Sequence, residues 1–405
     1  MSHLREETAR SAAAKIAAIT PDARESRTAL IGFDGFIDSI LHMVDRRTDM
    51  TPTGYTRIET IAAFSARCAA AAGRSTNIEQ VLVEDRFGGN GPLLAGALAS
   101  LETPTTYIGA ISDHQRIGIH PVFAAFAAKC RKAVAIGPPS STLCLEFDDG
   151  KLMFNNTSLV QAVTWGAIVK RIGLEPLIAM FDEADLIGVV NWSLLGGVPG
   201  IWRGMMKDVW PRIRVKNRRL AIDLSDPAKR TDEDVRSAMG QLLELNGLPG
   251  LRVTLGLNLA ESERIVSVMG GDVSPARSMA TLGETVMARA AEIQRLTDLD
   301  CIAVHPREGA GAATAGGEAA WIEGPFTNEP RLSTGAGDHF NAGFVFGQLH
   351  SMTLGECLAC GVAVSGAYVR DARSPDVARL HDFLIDLPMP ESKPGSPHRG
   401  GSDPG

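Results

Sequence analysis

No apolar run in this sequence approaches the ~18 residues needed to span a bilayer. The N-terminus carries acids early and has no signal-type apolar stretch, which points to the cytoplasm. Basic blocks are missing too. The formal net charge is −7, and the densest basic run is 212–219 (RIRVKNRR). It reads as a solvated connection between a helix and a strand, so no nucleic-acid partner is expected. The six cysteines, Cys68, Cys130, Cys144, Cys301, Cys357 and Cys360, are too scattered for a disulfide framework. Cys357 and Cys360 form a lone C-x-x-C in an apolar helical pattern, with no second pair at zinc spacing, and read as packed, reduced thiols. No internal repeat is visible. The remaining composition, 44% hydrophobic and 21% charged over 405 residues, is that of a globular protein with one large domain or two.

Against this plain background the stretch 331–347 (RLSTGAGDHFNAGFVFG) stands out. Ser333-Thr334-Gly335-Ala336-Gly337 is small and glycine-rich, Asp338 follows at once, and Phe340, Ala342, Phe344, Val345 and Leu349 recur at helical spacing. The pattern fits a tight turn opening a helix. The unpaired N–H groups at such a helix start, together with its dipole, favour an anion, above all a phosphate. A carboxylate beside an anion hole repels the anion, so Asp338 fits there as a base that takes the proton of an attacking hydroxyl. The same residues also suit a simple turn with a capping acid.

Residues 3–19 read as an Ala-rich amphipathic helix, which makes 1–27 a helical extension ahead of the main fold. Residues 28–33 read as a buried strand and 37–44 as a second. Asp34 and Asp38, in the turn between them, suit either hydroxyl binding or an Asx turn. A half-exposed strand at 78–86 leads into Phe87-Gly88-Gly89-Asn90-Gly91-Pro92, a second glycine turn opening a helix. It is neither a P-loop nor a G-x-G-x-x-G. Asp148-Asp149-Gly150, between strands at 142–147 and 152–155, signals a β-hairpin. From there helices alternate with strands at 186–190, 219–224, 251–257 and 301–304, which implies a parallel sheet covered on both faces. Ligands bind such sheets at the carboxyl ends of the strands. Asn191, Asp223 and Asn258 each fall at such an end. The Pro-, Gly- and Ser-rich residues 389–405 are expected to be disordered.

In this order the pieces resemble the ribokinase-like (PfkB) family of carbohydrate and nucleoside kinases, over about 28–387. The resemblance implies an α/β fold, a three-layer α/β/α sandwich with a mostly parallel central sheet, spanning 28–388. A small β-sheet lid would be formed by strands near 37–44, 78–86 and 142–155. It implies Asp338 as catalytic base and an anion hole from the backbone of Gly335, Ala336 and Gly337, with Thr334 beside the nucleotide. Gly88, Gly89 and Asn90 are similar to the glycine signature that contacts the acceptor. Asp38 resembles the acid that holds acceptor hydroxyls, Asp34 is a second candidate, and Asn191 would line the same site. Asn258 and Glu261 are similar to an N-x-x-E motif that holds Mg²⁺ through water near the phosphates.

Two departures bear on the donor side. Members activated by a monovalent cation carry an Asp six positions before the base, where this chain has Leu332. The donor loop Val-Thr-x-Gly-x-x-Gly is here Val304-His305-Pro306-Arg307-Glu308-Gly309-Ala310-Gly311, which leaves His305, Gly309 and Gly311 for the nucleotide. The expected activity is transfer of the γ-phosphoryl group of ATP to a hydroxyl of a sugar, sugar phosphate or polyol. An ADP-dependent sugar kinase or a nucleoside kinase of the same fold is the alternative, and a catalytically silent sugar- or nucleotide-binding regulator is the alternative of another class. A phosphorylated acceptor would require Arg86, Lys151 or Arg203 near it. Pairing of lid strands between protomers would make a homodimer.

Overall fold

The structure is a computed structural model that describes residues 2–113, 118–274 and 279–392. Helix α1 (Ser2–Ala18) comes first. The strands are β1 (Ala29–Phe33), β2 (Phe36–Arg47), β3 (Tyr55–Arg57), β4 (Gln80–Gly88), β5 (Thr105–Gly109), β6 (Lys132–Ala135) and β7 (Ser140–Phe147). After them come β8 (Gly150–Asn156), β9 (Leu186–Val190), β10 (Arg218–Asp223), β11 (Leu251–Leu257), β12 (Cys301–Val304), β13 (Gly309–Thr314) and β14 (Ala319–Glu323). The helices that matter for the site are α2 (Asn90–Ser100), α3 (Leu259–Val268), α4 (Leu282–Thr297), α5 (Ala336–Leu349), α6 (Leu354–Asp371) and α7 (Val377–Ile385).

Nine strands form one sheet in the order β14-β13-β12-β11-β10-β9-β1-β5-β6. From β12 to β6 the pairings are parallel, while β13 and β14 run antiparallel at the edge. The apolar runs ALIGF of β1 and LIGVV of β9 are buried at every position, as strands covered on both faces must be. One apolar core fills the face under α3 and α4, and a second fills the face under α2, α5, α6 and α7. The chain leaves β1 toward β5 and β6, then jumps to β9 on the other side and continues outward to β12. β1 and β9 are therefore neighbours at the point where the winding reverses, where a crevice opens beyond the strand ends. A mostly parallel sheet with helices on both faces is the three-layer sandwich expected from the sequence.

The lid is a separate five-stranded sheet of β3, β2, β7 and β8, with β4 also paired to β2. Its hairpin turns at Asp148-Asp149, with Phe147 opposite Gly150. The lid has its own small core around Leu41, Met43, Ile58, Leu145 and Phe147. Leu82 and Val83 on β4, and Met153 and Phe154 on β8, are left exposed.

Two terminal segments differ from the sequence reading. α1 does not stand ahead of the fold: Ala9, Ala12, Ala13 and Ile16 are buried in the core shared with α6 and α7. Residues 389–392, read as the start of a disordered tail, are held in place. Glu391 donates its N–H to the Phe326 carbonyl (3.0 Å) and accepts from Thr327 Oγ1 (2.8 Å) and Asn328 N–H (2.6 Å). Residues 393–405 lie outside the described residues. The basic run 212–219 is stitched to acids, with Arg212 on Glu175, Arg214 and Arg218 on Asp182, Lys216 on Asp185 and Arg219 on Asp300. Among the described residues no helix is long and apolar enough to cross a membrane. All six cysteines are free, with Cys357 and Cys360 buried in α6.

Candidate active site

Asp34 follows β1 and is wholly buried. Its Oδ1 accepts from the Gly91 N–H (2.8 Å) and its Oδ2 from Asn191 Nδ2 (2.7 Å). It thus ties the glycine turn before α2 to the end of β9. The turn closes directly on two acids. A Cβ on Gly88 would lie 2.2 Å from Asp38 Oδ2, and one on Gly91 would lie 2.5 Å from Asp34 Oδ1. Gly89 sits at φ +99°, which a side chain would strain. Burial raises the Asp34 carboxyl to about 6, against the pull of its hydrogen bonds. Asp38 is raised as well, by burial, although Thr142, Lys151 and Arg86 lower it.

A cavity of about 340 Å³ opens beyond these strand ends. Its wall includes Asp38, Gly89 and Asn90, with Asn191, Asn258, Glu261 and Asp338, and the lid gives Thr142 and Asn155. Asp34 and Gly88 lie behind that wall. Asn191 holds left-handed backbone (φ 62°), which Asn tolerates. Its Oδ1 is buried without a hydrogen-bond partner among the described residues.

Asp338 is the third residue of α5 and is 6% exposed. Asn90 Nδ2 donates to its Oδ1 (2.9 Å), and Asn90 Oδ1 in turn accepts from Ser225 Oγ (2.8 Å). The Ser225 N–H donates to Asp223 (2.7 Å), and Asn341, one turn along α5, donates to the other Asp223 oxygen (2.8 Å). A chain of hydrogen bonds therefore runs from Asp338 through Asn90 of the 87–92 turn and back to α5. Burial first, then the nearby Asp223 charge, lifts the Asp338 carboxyl well above the usual range. The same two causes lift Glu261 to about 8.

Five carboxyl groups line this cavity, Asp38, Asp223, Asp226, Glu261 and Asp338, and no Lys or Arg lines it among the described residues. Asp38 has Lys151 and Arg86 near it and Asp226 pairs with Lys229, whereas Asp223 repels both Glu261 and Asp338. Acids crowded in that way fit a divalent cation, and hydrated Mg²⁺ suits oxygen donors. No three acidic, His or Cys side chains converge as direct ligands among the described residues. Asn258 and Glu261 make a reciprocal capping box on α3: Asn258 Oδ1 accepts from the Glu261 N–H and Glu261 Oε2 from the Asn258 N–H, both at 2.9 Å. The box uses only one oxygen of Glu261, whose side chain belongs to the cavity wall.

The raised carboxyls make a pH-dependent stability. Glu261 ordinarily titrates at 4.5 and here near 8, so the folded state favours its protonated form. Its contribution is complete below the unfolded value and is lost as pH climbs through the folded one. The metal-free protein is expected to melt lower at about pH 8.5 than at about pH 5, and Mg²⁺ is expected to raise Tm more at the higher pH. A Mg²⁺ effect equal at both pH values in differential scanning fluorimetry would contradict this.

A second cavity of about 340 Å³ lies on the other side of the 333–337 turn. Pro325, Phe326, Pro330, Val362 and Val369 give it an apolar slot, with Arg307 at the edge, its guanidinium 5.3 Å from the Phe326 ring centre. His305 lines both cavities. Burial holds its imidazole neutral, at about 4, and its Nε2 has no partner. Gly309 lines the slot. Gly311 does not, because the chain enters β13 at Gly309 and Gly311 pairs with Trp321 inside the sheet. The Val304–Gly311 stretch is thus a loop only as far as Glu308. The turn itself offers its backbone: the Gly335 and Gly337 N–H groups have no partner among the described residues, while the Ala336 N–H closes on the Ser333 carbonyl (3.3 Å). Thr334 Oγ1 accepts from Lys151, which reaches down from β8 of the lid.

A family model described as prokaryotic ketohexokinase matches residues 4–386. The chain belongs to the prokaryotic ketohexokinase family. A ketohexokinase of Haloferax volcanii is 28% identical over 369 residues, covering 90% of this chain and 92% of that protein. Among solved structures, a carbohydrate kinase from Agrobacterium tumefaciens superposes with a TM-score of 0.58 at 16% identity, covering 88% of this chain and 97% of that one. A ribokinase from Arabidopsis thaliana, solved with ribose and ATP, gives 0.58 at 15% identity, over 89% and 99%. At these identities the superpositions show the fold. As a prokaryotic ketohexokinase family member the chain is a carbohydrate kinase, a phosphotransferase that acts on a sugar hydroxyl.

The structure brings Asp38, Asn90, Asn191, Asn258, Glu261, His305 and the 334–338 turn of this kinase to one place. Sequence reasoning gave no role to Ser225, Asn341, Tyr368 or His339, and missed that Lys151 meets Thr334. Their partners lie on other elements, so no spacing pattern announces them. Asp223 did carry a signal, an acid at a strand end.

Proposed function

We propose that this enzyme transfers the γ-phosphoryl group of ATP to a hydroxyl of a ketohexose, with Asp338 as the base. The observation that carries the reading is the position of Asp338. It sits between the acceptor cavity, with Asp38 and the unpartnered Asn191 Oδ1, and the free N–H groups that open α5. The acceptor hydroxyl lies against Asp338 Oδ2, and Asn90 keeps the other oxygen in place. A carboxyl lifted above its ordinary pKa is a better proton acceptor than an exposed Asp. The Gly335 and Gly337 N–H groups and the α5 dipole then receive the charge of the transferred group. Phosphoryl transfer asks mainly for such positioning and charge stabilisation. Mg²⁺, held through water by Asn258 and Glu261, would neutralise phosphate charge against the acidic wall. The apolar slot between Phe326 and Val369 suits a nucleobase, and His305 Nε2 is free to contact the phosphates. The lid covers the acceptor and excludes water that would compete with it.

A coupled assay with Mg²⁺, testing ATP and ADP separately against ketohexoses, aldohexoses, sugar phosphates and nucleosides, decides the donor and the acceptor together. Turnover confined to ATP and a ketohexose is the expected result, and turnover with nucleosides alone would overturn the reading. The reading places the enzyme in the cytoplasm, a compartment that its unpaired cysteines suit. Two copies would bury the exposed residues of β4 and β8 by pairing lid edges. A monomer in light scattering at micromolar concentration removes that assembly.

A further inference from the structure

Two buried polar rings stand behind the phosphate-binding turn and take no part in the steps above. Tyr368, on α6, is 5% exposed, and His339, on α5, is 1% exposed. Their rings stack with centres 3.5 Å apart and 15° between planes. The Tyr368 hydroxyl donates to the Thr334 carbonyl (2.7 Å). His339 Nδ1 lies 2.8 Å from the Gly335 carbonyl, and Nε2 lies 2.9 Å from Ser374 Oγ. Burial keeps this imidazole neutral, at about 4, so it carries one N–H. A carbonyl only accepts, which puts that proton on Nδ1 and leaves Nε2 to accept from the Ser374 hydroxyl.

The consequence is geometric. In a trans peptide the C=O and the following N–H point in opposite directions. Tyr368 lines neither of the two 340 Å³ cavities, and by holding the Thr334 carbonyl it fixes the peptide whose opposite-pointing Gly335 N–H is unpaired where Gly335 lines the acidic cavity. His339 holds the Gly335 carbonyl through both its Nδ1 and its own N–H. The peptide so fixed carries the Ala336 N–H that closes on Ser333, which sets the start of α5 from which the next N–H, that of Gly337, projects unpaired. Gly335 itself sits at φ +85° and brings no side chain to hold the turn. Two consecutive peptide planes are therefore gripped from behind by one aromatic stack.

We propose that His339 and Tyr368 are positioning residues that aim the backbone N–H groups of Gly335 and Gly337 at the transferred phosphoryl group. The inference rests on the phosphoryl-transfer reading of the site and adds to it what holds the anion hole open. Neither residue lines either of the two 340 Å³ cavities.

Three substitutions test it. Tyr368→Phe deletes one oxygen and keeps the stack. His339→Phe keeps the ring and loses the donor. His339→Asn keeps an N–H near the Nδ1 position. Losing one anion-hole donor outright costs ~10²–10³-fold in kcat. A donor left misaimed is expected to cost about tenfold or more in Tyr368→Phe and His339→Phe, with the sugar KM within about twofold and His339→Asn recovering most of the loss. The second readout is calorimetry with orthovanadate, a mimic of the transferred group, in the presence of Mg²⁺ and ADP. Vanadate affinity is expected to fall about tenfold in Tyr368→Phe and His339→Phe, while ADP affinity alone holds. Unchanged kcat and vanadate affinity in both variants would overturn the proposal. So would wild-type protein that binds no vanadate, or losses in His339→Asn equal to those in His339→Phe. If the wild type phosphorylates no sugar, the kinase reading fails, and the vanadate comparison still judges the positioning role.

Discussion

Asp338→Asn is expected to cut turnover at least ~10²-fold while sugar and nucleotide affinities stay within a few-fold. The amide keeps the size of the carboxylate and an oxygen to accept from Asn90 Nδ2, so the hydrogen-bonded chain to Ser225 and Asp223 survives. What is lost is the ability to take a proton. Positioning and the anion hole remain, which is why the rate falls to a residue rather than to zero. The pH profile sharpens the test. The base works deprotonated, so kcat/KM falls as pH drops through its pKa, and burial and Asp223 place that limb above the ordinary carboxyl range. Asp223→Asn removes one of the two negative charges that oppose ionisation of Asp338. The acid limb should then move to lower pH. Steady-state kinetics across pH check both statements. Turnover of Asp338→Asn within a few-fold of wild type would remove the base assignment, and an acid limb that moves up in Asp223→Asn would remove the electrostatic account.

How much of this site was legible in the sequence depended on distance along the chain. The turn at 333–338 was readable because its small residues, its glycine at φ +85° and the acid at the first helical turn are local, whereas Tyr368 and Ser374, which brace it, are more than thirty residues away. The hairpin at Asp148-Asp149-Gly150 was readable for the same reason. Asn191, Asp223 and Asn258 were found through a rule about strand ends that needs only the order of elements. Asp34 was harder. Two acids in one turn looked equivalent as ligands, yet Asp38 reaches the cavity wall and Asp34 is spent on Gly91 and Asn191, residues 57 and 157 positions away. The Asn90–Asp338 hydrogen bond joins residues 248 apart and leaves no periodic trace. Asn258 and Glu261 carried two local meanings at once. Their spacing fits a capping box as well as a ligand pair, and the structure shows the box formed. Gly311 was placed at the nucleotide by extending the loop too far; the small residues of GAGAAT are there because β13 packs against α4 and Trp321.

Deleting residues 2–27 is expected to leave no stably folded protein, although composition sets them apart as an extension. A detachable helix would bury little, and α1 buries Ala9, Ala12, Ala13 and Ile16 completely or nearly so. Burial of Ile16 alone is worth ~1.5–3 kcal/mol. The polar side of the helix is committed as well. Arg5 is 5% exposed, and its guanidinium donates to the carbonyls of Glu323 (2.8 Å), Leu387 (3.3 Å) and Pro388 (2.6 Å). A buried guanidinium stays charged only if acceptors surround it, and here one side chain ties β14 to the chain leaving α7. Lys15 and Ser11 meet Glu356, and their hydrogen bonds help pull that carboxyl down to about 2 against the cost of its burial. Without α1 those carbonyls lose their partner, at ~1–3 kcal/mol for each that stays buried, and the α6–α7 face is bared. Set against a total stability of ~5–15 kcal/mol, the sum removes most of the margin. Arg5→Ala isolates the clamp and should cost ~2–3 kcal/mol in urea unfolding with the slope unchanged. A truncated protein that melts within a few degrees of the full chain would restore the view of these residues as an appendage. The active site would register the loss as well, because α6 carries Tyr368, which donates to the Thr334 carbonyl, and packs along α5, whose first turn presents Asp338.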